Sequence, residues 1–435
     1  MRQLRASTVL AVISLLFSSL SISQASAITS GNCNVNVGSA TGVVLVENGG
    51  SCYLAFSNVG GNSFTVPSGI TSAAVLVVAG GGGGGSGAWG GGGGAGGVLY
   101  GASYPLTPGA TMNLSVGTGG ATGTASTDST LNRSQNGGDS WINSSSTFVA
   151  KGGGAGASFA YYSTTTNSAG SAGGSGGGGT EHASGGAGGS STQSLPTYGT
   201  TAYGNSGGST PSANHVSGGG GGGAGGVGVN NTASGTGGAG GPGISAFSSW
   251  FTAMGQFGVN GFIAGGGGGG TSITRGAGGS GGGGVGADQT NTTAGNGVAN
   301  TGSGGGGATY VTGALPGGSG GSGLIIFRFT AVVNPAVINT PTTSGAIYKG
   351  VTTTISVAMD SPGVVQFFTN NKRIGKCVSV ATTGSAPNYS ASCSWKPTTS
   401  GTHLIKAQLT PSNVAQSAQT SAVKSVQVLR RITRR

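Results

Sequence analysis

The chain has 435 residues and a formal net charge of +11; 100 residues are glycine, while charged residues make up only 5 % and aromatic ones 6 %. Six acidic residues and three histidines leave little material for an ordinary enzyme domain, and past the N-terminus no apolar run reaches the roughly 20 residues that span a bilayer. A collagen-like chain is excluded by the lack of a strict G-x-y period, which leaves a low-complexity chain or a structural module whose backbone does the packing.

Residues 1–27 read as a secretory signal peptide: Arg2 and Arg5 open it, Val9 to Leu20 is mostly apolar, and Ala25-Ser26-Ala27 is a small-residue cleavage site. The expected mature protein is secreted to the extracellular space or cell surface, with no transmembrane span after signal cleavage. Four cysteines in an exported chain suggest disulfides. Cys33 with Cys52, and Cys377 with Cys393, each bracket a short stretch of their own compositional segment, so local pairing is the simplest connectivity. No C-x-x-C spacing occurs, and neither a metal nor a cofactor is expected.

Strand-like alternation follows in Thr41–Val46, Tyr53–Phe56 and Phe64–Pro67, and Ser72–Ala79 reads as a buried strand. Glycine then takes over. Between Gly60 and Gly323 lie 89 of the 100 glycines, in runs such as Gly80–Gly85, Gly90–Gly94, Gly218–Gly223 and Gly265–Gly270. Short strand-like pieces interrupt them at Gly97–Tyr100, Met112–Val116, Thr147–Ala150 and Phe262–Ala264, and Leu324–Phe329 closes the region as another apolar strand. An apolar strand at each end of the glycine field predicts that the two ends pair and staple one domain.

Ordering a glycine backbone costs about 1–2 kcal/mol per residue, so a disordered matrix filler is one reading of the field. The low charge argues for the other, glycine helices of polyproline-II type packed side by side. Such a helix has three residues per turn and no internal hydrogen bonds, so its N–H and C=O groups can bond to neighbouring helices. The aromatic islands between the runs, Tyr161 with Tyr162, Tyr198 with Tyr203, and Trp250 with Phe251, could stack on sugars or anchor a protein. They could equally cap the ends of the glycine helices.

Phe64-Thr65-Val66-Pro67-Ser68-Gly69-Ile70-Thr71, the strand to Ala79, Gly96-Gly97-Val98-Leu99-Tyr100 and the closing Gly320-Gly321-Ser322-Gly323-Leu324-Ile325-Ile326-Phe327 resemble the glycine-rich domain of secreted bacterial surface proteins. More distantly this stretch is similar to the glycine-rich segment of anaplastic lymphoma kinase receptors and to tip adhesins of T-even-like phages. The resemblance covers roughly 33–330 and implies glycine helices on a β-sandwich, with a binding role and no catalysis. The signal peptide sets this chain apart from the phage adhesins.

After a linker at 331–345, residues 346–430 show short strands and recurrent turns: Thr352–Met359, Val365–Thr369, Ser390–Trp395, His403–Leu409 and Ser425–Leu429. That spacing favours a β-sandwich, and the segment resembles bacterial Ig-like repeat domains through Val365 to Phe368 and Cys393-Ser394-Trp395-Lys396-Pro397. Trp395 reads as core, His403 as a surface or strand-edge residue. From Ala331 onward there are 11 basic residues against Asp360 alone, ending in the basic tail 431–435. Arg430, Arg431, Arg434 and Arg435 are expected to retain the protein on an anionic cell-wall polymer rather than on nucleic acid.

Catalytic and metal signals are weak. Asp128, Asp139 and Glu181 would have to carry any hydrolase chemistry, His182 and His215 are isolated, and Gly284–Asp288 resembles a single calcium nonapeptide without a tandem array. Six N-x-[ST] sites, at Asn113, Asn132, Asn143, Asn230, Asn291 and Asn388, are expected by chance in a chain this rich in Ser, Thr and Asn. The expected fold is all-β: a sandwich carrying polyglycine-II-like helices over 28–330, then an Ig-like sandwich. The expected function is non-enzymatic adhesion or an extracellular structural role, through an extracellular glycan or protein, with ice binding as the alternative.

Overall fold

A computed structural model describes residues 27–430 apart from 31, 124–132, 160–167, 181–184, 212–215, 312, 314, 332–336, 386–387, 413–415 and 417. The expected leader therefore lies outside the described residues up to position 26. The chain divides into two compact units, Met1–Val332 and Val333–Arg435.

The first unit holds β1 (Ala27–Ser30), β2 (Cys33–Asn36), β3 (Val43–Asn48), β4 (Ser51–Phe56), β5 (Gly60–Thr65), β6 (Ser72–Val78), β7 (Val98–Pro105), β8 (Thr111–Val116), β9 (Ser140–Ile142), β10 (Phe148–Ala150), β11 (Thr201–Tyr203), the helix α1 (Ser248–Met254) and β12 (Leu324–Thr330). They form two six-stranded sheets, ordered β1-β2-β5-β8-β9-β10 and β11-β7-β6-β12-β4-β3. The second sheet is apolar on both faces. Cys52, Leu54, Phe56, Val75, Val77, Ile325, Phe327 and Phe329 face the first sheet and share one core with Phe64, Leu114, Ile142 and Phe148. The alternate residues Tyr53, Ala55, Leu76, Val78, Leu324 and Ile326 meet α1 and Ile263 on the other side. Burial on both faces is why β6 and β12 read as unbroken apolar runs.

The two ends of the glycine field do pair: Leu324 lies opposite Val78 and Phe327 opposite Val75, antiparallel. On its other flank β12 pairs with β4, Phe327 opposite Leu54. The Phe327 ring stands edge-on to Phe64 at 4.9 Å and to Phe56 at 6.4 Å. The Cys33–Cys52 disulfide ties β2 of one sheet to β4 of the other.

The glycine field grows out of the strand ends as extended backbone. Its hydrogen bonds repeat every third residue. Gly90, Gly93 and Gly96 donate to the carbonyls of Ala308, Gly305 and Gly302; Gly91, Gly94 and Gly97 donate to Ala157, Gly154 and Lys151; Gly92 and Ala95 donate to Gly219 and Gly222. The carbonyls of the same segment accept from Gly85, Gly82 and Ala79, from Gly270 and Gly267, and from Gly178 and Ser175. Residues 90–97 thus have six neighbouring segments, at N···O distances of 2.7–3.1 Å. Residues 265–271 repeat the pattern, bonding to 238–241, 90–93, 284–287, 276–279, 218–221 and 304–307. The backbone groups are satisfied by other backbone groups, as buried amides require.

Glycine is needed here for space. A Cβ built on Gly92 would lie 2.0 Å from the Gly267 carbonyl oxygen, and one on Gly93 would lie 2.1 Å from that of Gly82. Neither residue has a positive φ, so backbone handedness is not the reason.

The sequence reading has no helix at α1. Phe247, Trp250, Phe251 and Met254 follow the i, i+3, i+4, i+7 spacing of an apolar stripe and are buried against the sheet. Gly255, at φ +66°, ends the helix in the left-handed conformation. The piece Phe262–Ala264 forms only isolated bridges, Val259 to Phe262 and Ile244 to Ile263.

The second unit contains β13 (Thr342–Thr343), β14 (Ile347–Tyr348), β15 (Thr353–Met359), β16 (Gly363–Thr369), β17 (Lys372–Arg373), β18 (Val380–Ala381), β19 (Thr383–Ser385), β20 (Asn388–Trp395), β21 (Gly401–Pro411), β22 (Gln419–Thr420) and β23 (Lys424–Leu429). Sheets β13-β15-β20-β19 and β14-β23-β21-β16-β17 enclose one core, with β18 on β16 and β22 on β21. Trp395 belongs to that core, and Cys377 is bonded to Cys393. Ile338 bridges to Met359 and β13 pairs with β15, so the later half of the 331–345 segment is part of this unit. His403 is a correction: it is 6 % exposed, on the inner face with Ile405 and Ala407. Its ring lies 3.1 Å from Thr369 Oγ1 and 3.1 Å from Thr399 Oγ1, edge-on to Trp395.

Candidate functional site

The predicted ligand-facing aromatics are dispersed by the fold. Trp250 and Phe251 are 5 % and 4 % exposed. Trp250 stands edge-on to Tyr53 at 5.9 Å, Tyr100 at 6.2 Å and Phe247 at 5.7 Å. These rings cover a sheet that would otherwise be wet, which corrects their reading as a binding pair. Tyr203 is half-buried against the same face. Tyr161 and Tyr162 lie outside the described residues, as do Arg431, Arg434 and Arg435; Arg430 is exposed.

Tyr198 stands apart, at 59 % exposure. It occupies the third position of a turn closed by Gly199 N–H donating to the Pro196 carbonyl at 3.0 Å, with φ +67°. Glycine or asparagine is usual there, and a bulky residue in that region costs about 1–2 kcal/mol. The turn sets the Tyr198 ring edge-on to Tyr104 at 5.8 Å, and Tyr104 edge-on to Phe148 at 5.3 Å. Burial pushes the Tyr104 phenol above its usual pKa, and the Tyr198 phenol adds to the shift. A cleft of about 370 Å³ lies here, lined by Tyr104, Asn143, Thr147, Phe148, Thr197 and Tyr198.

Asn143 also lines a second, larger cleft of about 580 Å³ on the solvent side of the first sheet. Alternation builds its floor. Ser140 and Ile142 of β9 are buried, which turns Trp141 outward, half-exposed. In register, Trp141 lies opposite Ser115, Ser115 opposite Gly61, and Asn113 opposite Ser63. Residues 39–41 and Asn58–Val59 form the wall. Asn143, at φ +68°, adopts a left-handed conformation that asparagine tolerates, and its N–H donates to the Asn113 carbonyl at 2.8 Å. That bond closes the strand end and holds the two asparagines together. Asn62 Nδ2 donates to the carbonyls of Gly60 and Asn58, and Asn58 Nδ2 to Thr41 Oγ1.

Among the described residues, no charged side chain lines either cleft. Neither Trp141 nor the two asparagines were singled out as binding residues from the sequence; the available signal was the buried, exposed, buried alternation of Ser140-Trp141-Ile142.

The described acids are engaged elsewhere. Asp139 forms an exposed ion pair with Lys151 at 2.8 Å and accepts from Gly152 N–H at 2.8 Å. Glu47 accepts from Asn32, through both its N–H and its side chain. Asp288 folds into its own turn, accepting from Thr290 N–H at 2.9 Å and from Asn291. Desolvation would raise its pKa, but hydrogen bonds from Asn291 and Thr290 outweigh it and, with Arg275 adding to them, hold the carboxyl below its usual range. Asp128 and Glu181 lie outside the described residues. Among the described residues no group of three or more His, Cys, Asp or Glu side chains could hold a metal ion, and no helix is long and apolar enough to cross a membrane. Both disulfides suit an oxidising compartment.

Residues 57–330 match the model of the glycine-rich domain family. No curated protein matches the chain.

Proposed function

The chain belongs to the glycine-rich domain family, and on that premise we propose that it is a secreted, non-enzymatic adhesion or structural protein of the cell surface. It binds an extracellular glycan or protein through side chains held at the borders of the glycine array. The observation that carries this reading is the contrast between array and border. Array backbone groups bond to one another, while the clefts at Trp141 and Tyr198 offer neutral amides, hydroxyls and rings. Such a surface binds by shape and hydrogen bonding, and its described side chains include no acid–base pair.

The three-residue repeat and six-neighbour packing support polyglycine-II-like helices as the building unit of the array. The two-sheet second unit supports an Ig-like spacer. Its described residues include Lys349, Lys372, Arg373, Lys376, Lys396, Lys406, Lys424 and Arg430 against Asp360 alone. That balance supports retention on an anionic wall polymer, with Arg431, Arg434 and Arg435 adding to it. The test is incubation of the labelled full-length mature protein with producing cells, isolated wall material and a glycan panel. Saturable binding to any of these is expected; absence of binding to all of them overturns the proposal.

A further inference from the structure

We propose that the solvent face of the first sheet, centred on Trp141, is a binding platform for a neutral polysaccharide; this rests on the adhesion reading and assigns it a site and a ligand class. Four observations converge. Trp141 stands on the solvent face of β9, with Ser115 beside it on one flank, Gly61 beyond that, and Val149 on the other flank. A Cβ on Gly61 would meet nothing within 4 Å, so the floor of the cleft beyond Ser115 is open. An indole on such ground offers its face to the C–H face of a pyranose with little loss of side-chain freedom.

The second observation is the hydrogen-bonding complement. Among the described residues, the side-chain amides of Asn113 and Asn143 and the Trp141 indole N–H have no protein partner, whereas those of the neighbouring Asn58 and Asn62 do. Both asparagines are exposed at the rim of the ring. Each amide offers donors and an acceptor, the set that vicinal sugar hydroxyls need. The third is charge. In a chain of net charge +11, a cleft of about 580 Å³ whose described lining carries no charge selects for an uncharged polar ligand. A peptide seeking backbone bonds would look to a sheet edge instead.

The fourth is length. Asn143 is common to both clefts, and the smaller one includes the exposed Tyr198, held in its costly turn conformation. Two aromatic stations joined through one amide fit a chain of several sugar residues. Strain at an exposed aromatic points to a binding role for that residue.

The experiment is affinity electrophoresis of the full-length mature protein, made in a host without N-glycosylation, through gels holding neutral glucan, mannan, galactomannan or xyloglucan, with alginate as the anionic comparison. At least one neutral polysaccharide should retard the protein, equally at low and high salt, since the described lining of the site carries no charge. Trp141→Ala should weaken that retardation at least about tenfold, and Trp141→Phe should restore part of it. Asn113→Ala with Asn143→Gly, which keeps the backbone at φ +68°, should weaken it while leaving the circular dichroism unchanged. Tyr198→Ala should weaken binding to polysaccharide more than to a disaccharide. Retardation unaffected by Trp141→Ala and by the asparagine pair overturns the site. Retardation by alginate alone overturns the ligand class. Binding to cells without binding to any neutral polysaccharide overturns the inference and leaves the adhesion reading standing, whereas a protein that binds nothing overturns both.

Discussion

Replacing Gly93 by alanine tests whether the array depends on the close approach of backbones. The added Cβ would sit 2.1 Å from the Gly82 carbonyl oxygen, 2.8 Å from the Gly82 carbonyl carbon and 3.0 Å from that of Gly83. All three are backbone atoms, so no side chain can swing aside. Reaching even 3.0 Å requires the two segments to part by about 0.9 Å, the difference between 3.0 and 2.1. The Gly82 carbonyl accepts from Gly305 at 3.0 Å, and Gly82 N–H donates to Gly94 at 2.8 Å; a shift of that size strains both bonds. A buried polar group left unsatisfied costs about 1–3 kcal/mol, so two such bonds set a loss of about 2–6 kcal/mol. That is a large part of the roughly 5–15 kcal/mol that holds a domain folded. Gly61→Ala is the matched control: its Cβ would meet nothing within 4 Å, and a change of less than about 0.5 kcal/mol is expected. Urea denaturation of the full chain, followed by circular dichroism, measures both. Equal midpoints for Gly93→Ala and the wild type would refute the argument, as would an equal loss in the Gly61 variant.

Trp250→Ala should cost about 3–5 kcal/mol by emptying a packed site, seen as a lower unfolding midpoint; unchanged stability with lost ligand binding would return Trp250 to the binding surface. Replacing Cys33 and Cys52 together by alanine opens a loop with a sequence separation of 19 and should cost about 3 kcal/mol in a denaturation curve. Because the Asp288 pKa is lowered in the folded state, the ionised carboxyl contributes stability above its unfolded value of about 4, and that contribution fades as pH falls through the lowered folded value. Asp288→Asn should therefore be less stable than wild type at neutral pH, and urea midpoints measured down the pH scale should show the gap closing in acid.

Much of the frame was legible because apolar side chains announce it. Leu324–Phe329 and Ser72–Ala79 carry enough consecutive apolar residues to mark strands covered on both faces, and the pairing of Phe327 with Val75 follows. The disulfides were legible for a similar reason, each pair lying within one compositional segment. Glycine announces nothing through side chains. Which of six segments a given glycine meets is decided by backbone hydrogen bonds between residues as distant as Gly93 and Gly305, and no local pattern encodes that choice. Aromatic residues are ambiguous where a ring's fate depends on what covers a sheet. Trp250 lies on a seven-residue helix too short to stand out among glycine and serine. Trp141 is marked only by the short alternation with its buried neighbours Ser140 and Ile142. The polarity of His403 points to an edge, but it shares a face with Ile405 and Leu409, and two threonines satisfy its ring inside.

β12 also sets the order of events in the life of the chain. It is a middle strand, with Phe327 opposite Leu54 on one side and Val75 on the other, partners 273 and 252 positions earlier in the chain. Until this last strand arrives, β4 and β6 each present a row of unpaired amides and carbonyls, and the core lacks Ile325, Phe327 and Phe329. Contacts this remote make folding slow. The first unit thus behaves as a thread with a latch at its far end. A chain cut short of Leu324 would keep the edges of β4 and β6 open.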